Sequence, residues 1–192
     1  MPIAANFNRL YDDHVALFER SRPLLAAAAE LAEAAISVLK GGGKLLFAGN
    51  GGSAADSQHF ATELTVRFET TRRALPAISL TTDSSAITAA GNDLGFDNIF
   101  ARQIEALGRP GDLFIGITTS GTSTNIVTAL RAARRIGLRT ACLTGRKGGI
   151  ITAESLADHC LVVPSDVTAR IQEMHVFLGH LLFAAIDSAF AE

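Results

Sequence analysis

The chain has 192 residues, 48% hydrophobic and 19% charged, a balance that supports one domain with a packed core and excludes an unstructured chain. A formal net charge of −2 excludes the basic footprint of a nucleic-acid-binding protein. Two cysteines, Cys142 and Cys160, are too few for a disulfide framework, and no uninterrupted apolar run reaches membrane-spanning length. Met1 to Leu10 lacks the basic segment and apolar core of a secretory signal, so the expected setting is the cytoplasm, with no membrane partner.

In chain order, residues 7–39 read as helix. Apolar positions recur through Leu10, Val15, Leu17 and Phe18, then Leu24, Leu25, Leu31 and Ile36. Pro23 divides this stretch or starts its second half. The segment 24–39 is almost entirely Ala, Leu, Val, Ile and Glu, so it needs cover on more than one side. Its own sheet supplies one side. A second subunit would supply the other, with a monomer's core helix as the alternative.

Gly41-Gly42-Gly43 ends that helix, and residues 44–48 form a short apolar run of buried-strand type. Gly49-Asn50-Gly51-Gly52-Ser53 follows, then a helix from 53 to about 68. Glycines let a backbone approach a ligand, and the unpaired N–H groups of a helix start point at it, which suits a phosphate. The loop has neither the Lys-Ser/Thr of a P-loop nor dinucleotide-fingerprint spacing. Within the helix His59 and Glu63 lie one turn apart on one face, as a surface ion pair or as a metal or acid–base pair.

Residues 77–80 read as a second strand. Asp83 or Ser84 caps a short helix through Ala90, and Gly91-Asn92-Asp93-Leu94-Gly95 is turn chemistry. A helix over 98–107 and a strand over 113–117 follow. Thr118-Thr119-Ser120-Gly121-Thr122-Ser123 then repeats the first motif, a hydroxyl- and Gly-rich loop between a strand and a helix, here 125–136. Strands at 138–143 and 159–163, a short helix at 150–156 and a last helix at 168–189 complete the chain, with the two cysteines expected as buried hydrophobes. Five short strands alternating with helices make an α/β, doubly wound parallel sheet, and ligands of that fold bind at the carboxyl ends of the strands. On the last helix, Gln172, Glu173 and His180 share one broad face, and spacing does not choose among them.

Read together, Gly49 to Glu63, Leu75-Pro76-Ala77 with Thr81-Thr82-Asp83-Ser84, Gly91-Asn92-Asp93, Thr119-Ser120-Gly121 with Ser123, and Arg170 to His175 with His180 resemble the SIS (sugar isomerase) domain family of phosphosugar-binding proteins. Within it they are similar to the phosphoheptose isomerases, in order and in register from about residue 40 to the end. The resemblance implies a flavodoxin-like single domain over 1–192, with 1–40 as an N-terminal helical arm for oligomerisation into a homotetramer. It implies zinc held by His59, Glu63, Gln172 and His180. Phosphate would sit among Ser53, Thr119, Ser120 and Ser123, and Asn50, Gly51, Gly52, Asn92, Asp93 and Thr118 would contact the sugar. Glu63 would be the base at carbon and His180 the acid. The implied reaction interconverts sedoheptulose 7-phosphate and D-glycero-D-manno-heptose 7-phosphate through an enediol, for heptose nucleotide biosynthesis. Thr118 and Thr122 stand where the family pattern has Ser and Asn or Lys. Relatives of the same fold that bind the initiator DnaA, or sense phosphosugars, are the alternative; the former lack Glu and His at the positions of Glu63 and His180.

Overall fold

The computed structural model describes residues 2–191. Two helices, α1 (Ile3–Ser21) and α2 (Leu24–Lys40), lead into a βα alternation: β1 (Leu45–Gly49), α3 (Gly52–Thr65), β2 (Ala77–Ser79), α4 (Ser84–Leu94) and, after a 3-10 turn, α5 (Ile99–Leu107). Then come β3 (Leu113–Thr118), α6 (Thr124–Arg135), β4 (Arg139–Gly145), α7 (Gly149–Ala153), β5 (His159–Val163) and α8 (Thr168–Phe190). All pairings are parallel, in the order β2-β1-β3-β4-β5. That is the flavodoxin-type doubly wound order, the expected fold class.

The strands are short and buried on both faces, so nearly every position is apolar. Alternation assigns the faces. Leu45, Phe47, Ile115, Ile117, Ala141 and Leu143 join one core with α2, α3 and α8. Leu46, Ala48, Phe114 and Cys142 join the other with α4, α5 and α6. Cys142 is buried as expected, whereas Cys160 is only partly so. Pro23 caps the start of α2, where its fixed φ is compatible with the first turn.

Two expectations are corrected. The motif helix stops at Thr65, not Phe68. Asp83 does cap α4, its side chain accepting from the Ala86 N–H, but the helix runs through Gly91-Asn92-Asp93 to Leu94. Of the expected turn Gly91 to Gly95 only the last residue, Gly95, leaves the helix, and its φ of 84° is open to glycine. The apolar face of α2 is covered largely within the chain, by α8 and the sheet. Leu25 of α2 stays exposed, and α1 adds a run of exposed apolar side chains, Ile3, Phe7, Tyr11 and Val15. No helix among the described residues is long and apolar enough to cross a membrane.

Candidate functional site

Two loops meet at the carboxyl edge of β1 and β3. After Gly49 the chain reverses at Gly51, with φ 58° and ψ −122°, a conformation essentially reserved for glycine. The Ser53 N–H then closes onto the Asn50 carbonyl at 3.0 Å and α3 begins. The second loop leaves β3 at Thr118, which is 4% exposed. Its hydroxyl lies 2.9 Å from that of Ser123, while Ser120 Oγ accepts from the Thr122 N–H and hydroxyl. Asn50 and Asn125 exchange side-chain amide hydrogen bonds of 2.9 and 2.8 Å, locking the loops together. Between them lies a cleft of about 230 Å³, lined by Asn50, Gly51, Gly52, Ser53, Ile117, Thr118, Thr119, Ser123, Thr168 and Gln172. The N-terminal ends of α3 and α6 open on this edge, and their unpaired N–H groups and partial positive charge favour an anion.

The second part of the site is built by α3 and α8. A Cβ added to Gly52 would lie 2.7 Å from Gln172 Nε2. The rings of His59 and His180 are 5.2 Å apart between centroids, and Phe60 packs on Gly179 and Phe183. These contacts advance together along both helices, so the two run side by side in the same direction. His59 Nε2 lies 2.9 Å from Glu63 Oε1, and Phe68 closes over His180 with ring centroids 5.4 Å apart. Gly52, Asp56, His59 and Glu63 follow each other at four-, three- and four-residue steps, which is one stripe of a helix. That stripe connects the loop cleft to the His59–Glu63–His180 cluster.

Of the expected residues, the structure gathers Asn50, Gly51, Gly52, Ser53, Thr118, Thr119, Ser123 and Gln172 at the cleft, with Ser120 on the same loop. His59, Glu63 and His180 form the neighbouring cluster. Gln172 is separated from His180 by about two helical turns. Asn92 and Asp93 are not brought to either place; both are exposed on α4, where Asn92 donates to Asp93. Glu173 is engaged elsewhere, 2.6 Å from His14 of α1 and paired with Arg170. This separates it from Gln172, a choice helical spacing alone leaves open.

Two further residues join the site. Asn125, 2% exposed, holds Asn50. Asp56 stands between Gly52 and His59, with Oδ2 buried and unpartnered. Burial raises its carboxyl pKa, against the opposing pull of His59. The helical step from His59 marks Asp56 in the sequence, whereas nothing local marks Asn125.

Zinc is tested by the donor set. Two imidazoles, a carboxylate and a carboxamide are acceptable to zinc, and three of the four lie in mutual contact or one ring apart. Among the described residues, no three His, Cys, Asp or Glu side chains are placed to hold a metal ion together.

A family model described as SIS domain matches residues 11–145. The chain is 55% identical over 161 residues to the phosphoheptose isomerase of Paramagnetospirillum magneticum, covering 84% of this chain and 83% of that one. It resembles the structure of phosphoheptose isomerase GmhA from Neisseria gonorrhoeae with a TM-score of 0.91 and 41% identity, covering 97% of this chain and all of that one. The phosphoheptose isomerase structure from Francisella tularensis gives a TM-score of 0.93 at 39% identity, covering 98% of this chain and all of that one.

Proposed function

The chain belongs to the SIS domain family and, within it, to the phosphoheptose isomerases, and from that premise we propose how its residues interconvert sedoheptulose 7-phosphate and D-glycero-D-manno-heptose 7-phosphate. The observation that carries the reading is the α3 stripe, with an anion-binding cleft at one end and the His59–Glu63–His180 cluster at the other. Ser53 and His59 are six residues apart, about 9 Å along the helix. The carbon chain of an extended heptose has six bonds of about 1.5 Å and spans a comparable length, so a 7-phosphate in the cleft puts the C1–C2 end at the cluster.

In this reading the N–H group of Gly52 and the hydroxyls of Ser53, Thr119, Ser120 and Ser123 hold the phosphate. The Glu63 carboxylate takes the proton from C1 of the ketose; that C–H pair becomes the C1–C2 double bond as His180 gives a proton to the C2 oxygen. The enediol collapses when His180 takes the proton from the C1 oxygen and Glu63 returns its proton to C2, leaving the aldose. Asn50, held by Asn125, faces the sugar at the cleft. His59, Glu63, Gln172 and His180 would hold zinc, which when bound supplies a positive charge that polarises the carbonyl. Ile3, Phe7, Tyr11 and Val15 of α1 are suited to bury against other copies in a homotetramer. In such an assembly Asn92 and Asp93 serve a site shared between subunits. The setting we propose is cytoplasmic.

NMR of the purified protein with sedoheptulose 7-phosphate tests this. Aldose anomeric signals are expected with zinc, and are expected to vanish on chelation and in Glu63→Gln and His180→Gln. No aldose from the folded, zinc-supplied protein would refute the reading.

A further inference from the structure

The end of α3 is held in an unusual way. Helix carbonyls near a C-terminus lack internal partners and are commonly satisfied by a glycine-based reversal. Here an arginine does it from the following loop. Arg72, its side chain wholly buried, donates from Nη2 to the carbonyl of Glu63 at 2.7 Å and from Nη1 to that of Leu64 at 3.0 Å. Nη1 also donates to the carbonyl of Arg73, at 3.0 Å. Its Nε donates to Asp187 Oδ1 at 2.7 Å. The other oxygen of Asp187 accepts from the N–H groups of Glu69 and Thr70, both at 2.9 Å, and from the Thr70 hydroxyl at 3.1 Å.

Two facts about this clamp bear on chemistry. One of the carbonyls it grips belongs to Glu63 itself. The carboxylate it grips is on α8, seven residues beyond His180, two turns down the same helix. One planar guanidinium therefore ties the backbone of the proposed carbon base to the helix bearing the proposed acid. A lysine could supply the charge but not the fixed fork. Stability alone is a weak reason to bury an ion pair, since apolar packing often serves as well.

We infer that Arg72 and Asp187 are positioning residues that set the separation and alignment of Glu63 and His180 for proton transfer. The inference rests on the roles assigned above to those two residues. Neither Arg72 nor Asp187 lines the phosphate cleft, which lies at the opposite end of α3. The two ends of the helix thus predict a split: disturbing the clamp slows the chemical step and leaves phosphosugar binding in place.

The test is steady-state kinetics of the full-length, zinc-supplied protein on sedoheptulose 7-phosphate, for wild type, Arg72→Lys, Asp187→Asn and Thr70→Val, with rates normalised to folded protein from thermal unfolding. Misplacing a reacting group by an ångström costs about a hundredfold, so Arg72→Lys and Asp187→Asn are expected to lower kcat about 10- to 100-fold with KM within about twofold of wild type. Deuterium taken from solvent into the product per turnover is expected to change in the same variants, because it reports how the base and acid share the enediol. Thr70→Val removes one hydroxyl from Asp187 and leaves the guanidinium alone; a loss of about two- to fivefold in kcat is expected of it, and it decides the matter should Arg72→Lys not fold. A clamp that is merely structural lowers the unfolding temperature but leaves kcat per folded protein and deuterium uptake unchanged, and that result overturns the inference. An active wild type with full-kcat variants sinks the positioning role alone. A wild type that makes no aldose sinks the isomerase reading and this inference together.

Discussion

His175 sits on α8 with no exposure, and its Nε2 lies 3.1 Å from the backbone carbonyl of Thr144. A carbonyl only accepts, so Nε2 carries the proton and Nδ1 is the bare nitrogen. That nitrogen is buried without a partner. Protonating it would place a charge in the core. Burial accordingly lowers the pKa from 6.5 to about 4, against a smaller opposing pull from the Thr144 carbonyl. The unfolded chain accepts a proton near pH 6.5, whereas the native state refuses it until about pH 4. The stabilisation is complete above the unfolded value and drains away as pH falls through this window. The slope approaches about 1.4 kcal/mol per pH unit, so His175 alone costs the native state about 2 kcal/mol between pH 7 and 5. Urea unfolding at fixed protein concentration across this range, for wild type and His175→Gln, measures it. Glutamine keeps a donor near the Thr144 carbonyl and does not titrate. The wild-type curve should fall by about 2 kcal/mol more than the variant's. If the gap between the two proteins is the same at pH 7 and pH 5, the buried, neutral imidazole is refuted.

Other outcomes follow from the loops. Asn125→Ala removes both amide bonds to Asn50; the loss of a buried partner should cost about 1–3 kcal/mol in thermal unfolding and raise KM for the phosphosugar. Gly121 has φ 69° and packs against the Gly148 backbone, so Gly121→Ala should cost at least about 2 kcal/mol in denaturant unfolding, since neither backbone segment can yield cheaply. Gly52→Ala contrasts with it: the added Cβ meets only the end of the Gln172 side chain, which can swing away. Stability should then stay within about 1 kcal/mol while turnover drops about tenfold or more, because Gln172 is displaced.

How much of this was legible in the sequence can be judged element by element. Apolar runs mark the strand at 159–163 to the residue and the others to within two, because short apolar runs between Gly, Pro and polar turns admit few other readings. Both ligand loops were visible locally, since tight reversal and anion binding demand glycine and hydroxyl residues wherever they occur. Helix ends were less legible. The motif helix ends at Thr65 because Arg72, seven residues on, caps its carbonyls, and no local pattern announces that. The turn chemistry of Gly91-Asn92-Asp93 yields to the helix, which continues to Leu94 and stops at Gly95.

For the site the boundary is sharper. Helical periodicity by itself put His59 and Glu63 on one face and kept Gln172, Glu173 and His180 as candidates. Tertiary structure separated them, turning Glu173 towards His14 and laying Gln172 against Gly52. The Asn50–Asn125 pair spans 75 residues and the Arg72–Asp187 pair 115, so no local pattern contains either. The covalent chain determines which groups are available and how they repeat along a helix or strand. Which groups face one another across α3 and α8 is decided only when the parallel sheet delivers both helices to the same edge.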